Sequence, residues 1–192
     1  MFLPVFEGDI KMKETYQLHV AGLTRHLPIC PLNDKVSIAG FVVLGDVELT
    51  KACARELLKI APAHDVIITG EAKGITLAHE MAAQEGSNDY IIARKGYKLY
   101  MQNPLKVEVK SITTEKIQTL FIDEKDVNLM KGKRVLIVDD VISTGETLEA
   151  LEDLVRQAGG EIAGKMAVLA EGDAKDREDI LYLEPLPLIF HQ

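Results

Sequence analysis

Apolar residues fall into short blocks whose period changes along the chain, and each period predicts an element. Over 16–32 they alternate with polar residues around Ala21-Gly22, the pattern of two strands joined by a tight turn. Pro28 and Pro31 fall in the second arm and place it at a sheet edge, because proline cannot donate to a ladder. Over 46–60 the spacing of Val47, Cys53, Ala54, Leu57 and Leu58 marks one face of a helix, with Asp46 as its N-cap. Residues 66–69 read as a short buried strand, 70–74 as a turn and 75–84 as a second helix. Residues 90–93 form a third strand that ends at Arg94-Lys95. The stretch 96–116 is polar and weakly patterned, which predicts a mobile arm or hairpin. Strands at 134–138 and 162–169 follow, with a helix over 148–158 between them.

Alternating strands and helices predict an α/β fold of right-handed βαβ units, with a mostly parallel central sheet covered by helices. Ligands of such sheets sit outside the C-terminal strand ends. The loops after 69, 93 and 138 lie at those ends, and they hold the chain's least ordinary residues.

Composition narrows the function classes. A length of 192 residues fits one domain spanning 1–192. The formal net charge of −8 argues against nucleic acid or an anionic membrane as partner, since both need a basic face. No stretch approaches the roughly 20 apolar residues of a membrane span, and the N-terminus lacks the pattern of a secretory signal. Cys30 and Cys53 have neither metal-ligand spacing nor a disulfide framework, so a cytoplasmic location is expected.

The chemistry concentrates in VLIVDDVISTGET, residues 135–147. A greasy strand runs into Asp139-Asp140, then into a hydroxyl-rich turn with Gly145, then into a helix. The unpaired N–H groups of a helix N-terminus make a seat for phosphate. Two carboxylates beside that seat would repel a bare phosphate. They suit a ligand that offers hydroxyls to the acids and a phosphate to the turn, as a ribose 5-phosphate does.

That segment resembles the phosphoribosyl-pyrophosphate (PRPP) signature of the type I phosphoribosyltransferases. Two further segments match in order. Thr69-Gly-Glu71-Ala72-Lys73-Gly74 is similar to the family's pyrophosphate loop, and Arg94-Lys95 sits where the adenine-using subgroup of the purine branch has its Arg-Lys pair. The resemblance implies a type I phosphoribosyltransferase fold with a small N-terminal hood, about 14–35, and a flexible loop, about 96–116. It implies transfer of the 5-phosphoribosyl group from PRPP to a purine base, adenine favoured, in purine salvage. Xanthine or hypoxanthine/guanine enzymes are the alternatives, as is a non-catalytic PRPP-binding regulator.

The same resemblance distributes roles. Asp139 and Asp140 would take the ribose hydroxyls and steady charge on the ring. Glu71, Ala72, Lys73, Gly74, Arg94 and Lys95 would hold the pyrophosphate, with the Glu71-Ala72 peptide in the cis form. Ser143, Thr144, Gly145, Glu146 and Thr147 would hold the 5-phosphate. The base would meet Leu27, Ile29 and Glu171, and the general acid/base would be Glu108 or Glu115. Mg²⁺ would arrive with PRPP and water, without direct protein ligands, and the family's usual homodimer is expected.

Overall fold

A computed structural model describes residues 14–110 and 117–191. Five parallel strands form the centre: β4 (Val66–Gly70), β5 (Ile91–Ala93), β8 (Arg134–Ile142), β9 (Glu161–Glu171) and β10 (Leu181–Leu186), in the order β10-β9-β8-β4-β5. All five residues of β4 are buried, as a strand covered on both faces requires. Alternate residues divide between two cores. Ile67, Leu136, Val138, Met166 and Val168 face one side, where α1 (Val47–Ile60) and α2 (Ile75–Glu85) pack. Val66, Ile68, Val135, Ile137 and Ala167 face the other, against α4 (Glu146–Gln157) and α3 (Glu124–Met130). The expected α/β sheet is therefore present. Among the described residues no helix is long and apolar enough to cross a membrane.

A second sheet caps one end, in the order β1-β2-β3-β11: β1 (Thr15–Val20), β2 (Leu23–Pro31), β3 (Val36–Ala39) and β11 (Ile189–Phe190). The predicted hairpin is there, with Ala21 and Gly22 both at positive φ in its turn. The prediction that its second arm is an edge is wrong: β2 lies inside the sheet and β1 is the edge. Both prolines are tolerated because β2 changes partner part-way. It pairs with β1 up to Pro28 and with β3 from Ile29 to Pro31, so each proline closes a ladder. Hood and body are tied at α1. Asp46 accepts the Leu49 N–H as N-cap, and Arg25 of β2 donates to Asp46 at 2.6 Å and to Glu48 at 2.8 Å.

Of the expected 96–116 arm, residues 105–110 are β6 (Leu105–Lys110), which pairs with β7 (Ile117–Ile122) beyond it. The base of this hairpin belongs to the body: Val107, Leu120 and Ile122 are buried in the core beneath α4. Residues 111–116, including Glu115, lie outside the described residues. β3, β7, α3, β10 and β11 were not anticipated from the sequence.

Candidate active site

Strand order explains where the site lies. From β4 the chain moves to β5 on one side, then crosses to β8, β9 and β10 on the other. Loops after β4 and β8 thus leave in opposite directions, and a crevice opens between them at the C-terminal ends. The β4–β8 ladder stops at Ile68↔Ile137, while β8 stays paired to β9 as far as Ile142. The last third of β8 is left facing the 70–74 turn, and it carries Asp139 and Asp140.

The acidic pair is unequal. Asp140 is buried at 2% exposure, with its Oδ2 2.9 Å from Lys73 Nζ. Asp139 Oδ1 accepts the Asp140 N–H at 2.8 Å. Enclosure, together with the neighbouring Asp140 charge, pushes the Asp139 carboxyl up to about 7. One carboxylate is thus paired with a cation, and enclosure holds its neighbour toward the protonated form.

Gly74 makes this closeness possible. A Cβ there would lie 2.2 Å from Thr69 Oγ1 and 3.1 Å from Asp139 Oδ1, so the turn can rest on the acidic strand only as glycine. In the same turn Glu71-Ala72 is a cis peptide, as the resemblance implied. Glu71 organises the third loop: its N–H donates to Ala93 O, its Oε2 accepts the Lys95 N–H at 2.9 Å, and its Oε1 stands 3.8 Å from Arg94 Nε. Lys73, Arg94 and Lys95 therefore gather at neighbouring strand ends.

Beyond β8, residues 143–147 wrap a cavity of about 120 Å³ that also reaches Asp139. Gly145, at φ 88°, turns the chain into α4, whose first residues line the cavity. A second cavity, about 230 Å³, adjoins the first and shares Val141 and Ser143 with it. Its other walls are Lys73, Glu171, Leu186 and the hood segment 38–41.

The structure thus brings Lys73, Asp139 and Ser143–Thr147 together, and it sets Glu171 beside them. Leu27 is not brought there: it is buried in the core at 6% exposure. Ile29 is half-buried in β2, paired with Ala39. Glu108 is exposed on the hairpin and ion-paired with Lys106. Gly40 and Phe41 also line the second cavity. The apolar run 36–43 was their only signal, and it marks a strand without marking a binding wall.

Comparison with known proteins agrees with this geometry. The phosphoribosyl transferase domain model matches residues 48–184. The chain belongs to the phosphoribosyltransferase family. It is 31% identical to an adenine phosphoribosyltransferase of Lactobacillus gasseri over 77% of its own length and 82% of that protein. It is 34% identical to a hypoxanthine/guanine phosphoribosyltransferase of Methanosarcina acetivorans over 75% of its length and 72% of the other's. Among solved structures, the adenine phosphoribosyltransferase of Thermoanaerobacter pseudethanolicus superposes with a TM-score of 0.63 at 27% identity, covering 74% of this chain and 84% of that one. The fold is that of the type I phosphoribosyltransferases.

Proposed function

We propose that this phosphoribosyltransferase moves the 5-phosphoribosyl group of PRPP onto a nitrogen of a purine, with adenine the favoured base, and releases diphosphate. The observation that carries the reading is the crevice itself. An acidic pair, a lysine locked to one member and an anion loop enclose adjoining cavities at the β4–β8 switch point.

PRPP would lie with its 5-phosphate in the 143–147 loop, its hydroxyls toward Asp139 and Asp140, and its diphosphate toward Lys73, Arg94 and Lys95. In the reaction the C1–O bond breaks with its electron pair leaving on diphosphate. The base nitrogen then gives its lone pair to C1 and loses its proton to water, since Glu108 is ion-paired with Lys106 on the hairpin and does not line the cavity. Carboxylates at 139 and 140 stabilise the positive ring as it forms. Lys73 has to exchange Asp140 for the diphosphate, so the acid is released for the ribose as the donor binds. The oxygen donors of Asp139, Ser143 and Thr144 around the first cavity are of the hard kind magnesium takes. It would be held by PRPP oxygens and water beside Asp139, and its chemistry is to neutralise the leaving diphosphate.

The base would enter the second cavity, between the hood and Glu171. A carboxylate there accepts from an exocyclic amine, as adenine offers, and repels a ring oxygen. We further assign a cytoplasmic homodimer. Tyr97, Leu99 and Tyr100 are 53%, 96% and 64% exposed next to Arg94-Lys95, an apolar run suited to a second copy; sedimentation would test it.

The experiment supplies PRPP, Mg²⁺ and, separately, adenine, hypoxanthine, guanine, xanthine and orotate, and follows nucleotide and diphosphate. Adenine is expected to give equal amounts of both. PRPP binding with no nucleotide from any base would replace catalysis with a PRPP-sensing role.

A further inference from the structure

Arg177 follows the short 3-10 helix Gly172–Asp176, well outside the sequence motif. Its Nε and Nη2 donate to the two carboxylate oxygens of Asp179 at 2.9 and 2.8 Å. That fork leaves Nη1 against the anion loop, 2.7 Å from the point a Cβ on Gly145 would occupy. Asp179 is held in turn by Lys165, which also donates to Glu152 of α4 at 3.0 Å. A chain of opposite charges thus runs from the helix behind the loop to the guanidinium lying on it.

The loop lacks a cation of its own. Residues 143–147 contain no lysine, arginine or histidine, and the first turn of α4 carries Glu146 and Glu149. Acids at a helix N-terminus cancel the positive end of the dipole, which weakens a seat meant for a dianion. Lys73 is paired with Asp140 and is assigned to the diphosphate, which leaves no lysine for the 5-phosphate. A guanidinium fixed by two prongs keeps its plane and its charge whatever the pH, which suits phosphate better than a mobile ammonium.

We propose that Arg177, aimed by Asp179, is the cation of the 5-phosphate seat and that Gly145 lacks a side chain so that the guanidinium can reach it. This rests on the phosphoribosyl reading of the site. It adds that recognition of the 5-phosphate depends on a residue beyond β9 as well as on the 143–147 loop.

Titration calorimetry with ribose 5-phosphate and, separately, with inorganic diphosphate and Mg²⁺ tests it on the full chain. Arg177→Gln is expected to weaken ribose 5-phosphate roughly tenfold to a hundredfold, the loss of one charge-assisted hydrogen bond, while diphosphate binding is unchanged. Arg177→Lys should recover part of the loss. Unchanged ribose 5-phosphate affinity, or an equal fall for both ligands, would overturn the assignment. If Arg177→Gln does not fold, Asp179→Asn keeps the guanidinium but loosens its aim. It must show the same selective loss in smaller degree, and no selective loss overturns the proposal. A wild-type chain that binds diphosphate but not ribose 5-phosphate would instead bring down the phosphoribosyl reading itself.

Discussion

The two walls of the crevice are built differently. On the donor side, three loops leave adjacent parallel strands, and each is pinned by backbone contacts: Gly74 rests on Asp139, Glu71 binds the Ala93 and Lys95 main chain, and Gly145 starts α4. On the acceptor side, the wall is a hood segment at 38–41 whose sheet is closed by the C-terminal strand β11, together with Glu171 and Leu186. Each donor loop is local in sequence, and the sheet fixes the three side by side. The acceptor wall is assembled from chain segments about as far apart as the sequence allows. One donor can therefore be kept while bases differ, which fits relatives named for adenine and for hypoxanthine/guanine.

The largest expected effect comes from closing the donor wall. Gly74→Ala puts a methyl group 2.2 Å from Thr69 Oγ1. It should cost about 1–3 kcal/mol of stability, as overpacking does, and remove nearly all turnover. Denaturant unfolding and initial rates check it, and wild-type rates would mean the turn need not touch the acidic strand.

Lys73→Gln should raise the KM for PRPP roughly tenfold to a hundredfold, because a charge-assisted contact is lost. The KM for the base should hardly change. An effect on the base alone would move Lys73 to the acceptor wall.

A subtler effect concerns pH. Asp139 has a folded-state pKa raised from 3.8 to about 7, so ionising it costs more in the folded chain than in the unfolded one. Below the ordinary value both states are protonated and nothing is lost. As pH climbs through the window from 3.8 to about 7, the stability of the wild-type chain falls. Asp139→Asn lacks this penalty, so its Tm advantage should widen across that window and then level. A gap that is flat with pH would show that Asp139 ionises alike in the folded and unfolded chain.

The smallest expected effect belongs to Glu171→Gln, which should reduce the preference for adenine over hypoxanthine and leave the KM for PRPP alone. A changed PRPP KM with constant base preference would blur the two walls into one.

This division also explains what could be read from the sequence. Asp139, Asp140 and 143–147 were legible because a strand, a turn and a helix are consecutive, and each has its own residue grammar. Lys73 and Arg94-Lys95 stand out only through the ordered resemblance of the three segments, because a lone basic residue at a strand end reads as a solvated one. Leu27 misled, since alternation in β2 shows that it points inward and says nothing of whether inward means core or ligand; the structure puts it in the core. The edge assignment failed for a related reason. Two prolines forbid donation at two positions, but they do not reveal that β2 switches partners between them. β7 and α3 have no strong period, and what fixes them is tertiary: Leu120, Ile122 and Met130 are buried together with residues of α4. Arg177 left no signal at all, because its relation to Gly145 exists only once the strands have aligned.

The most direct test of the central claim separates binding from chemistry at the acidic pair, with PRPP affinity and nucleotide formation measured on one protein carrying Asp139→Asn and Asp140→Asn. The account predicts that this protein folds and still binds PRPP, but that its turnover falls about a thousandfold, in line with loss of electrostatic transition-state stabilisation. Unchanged turnover would contradict it.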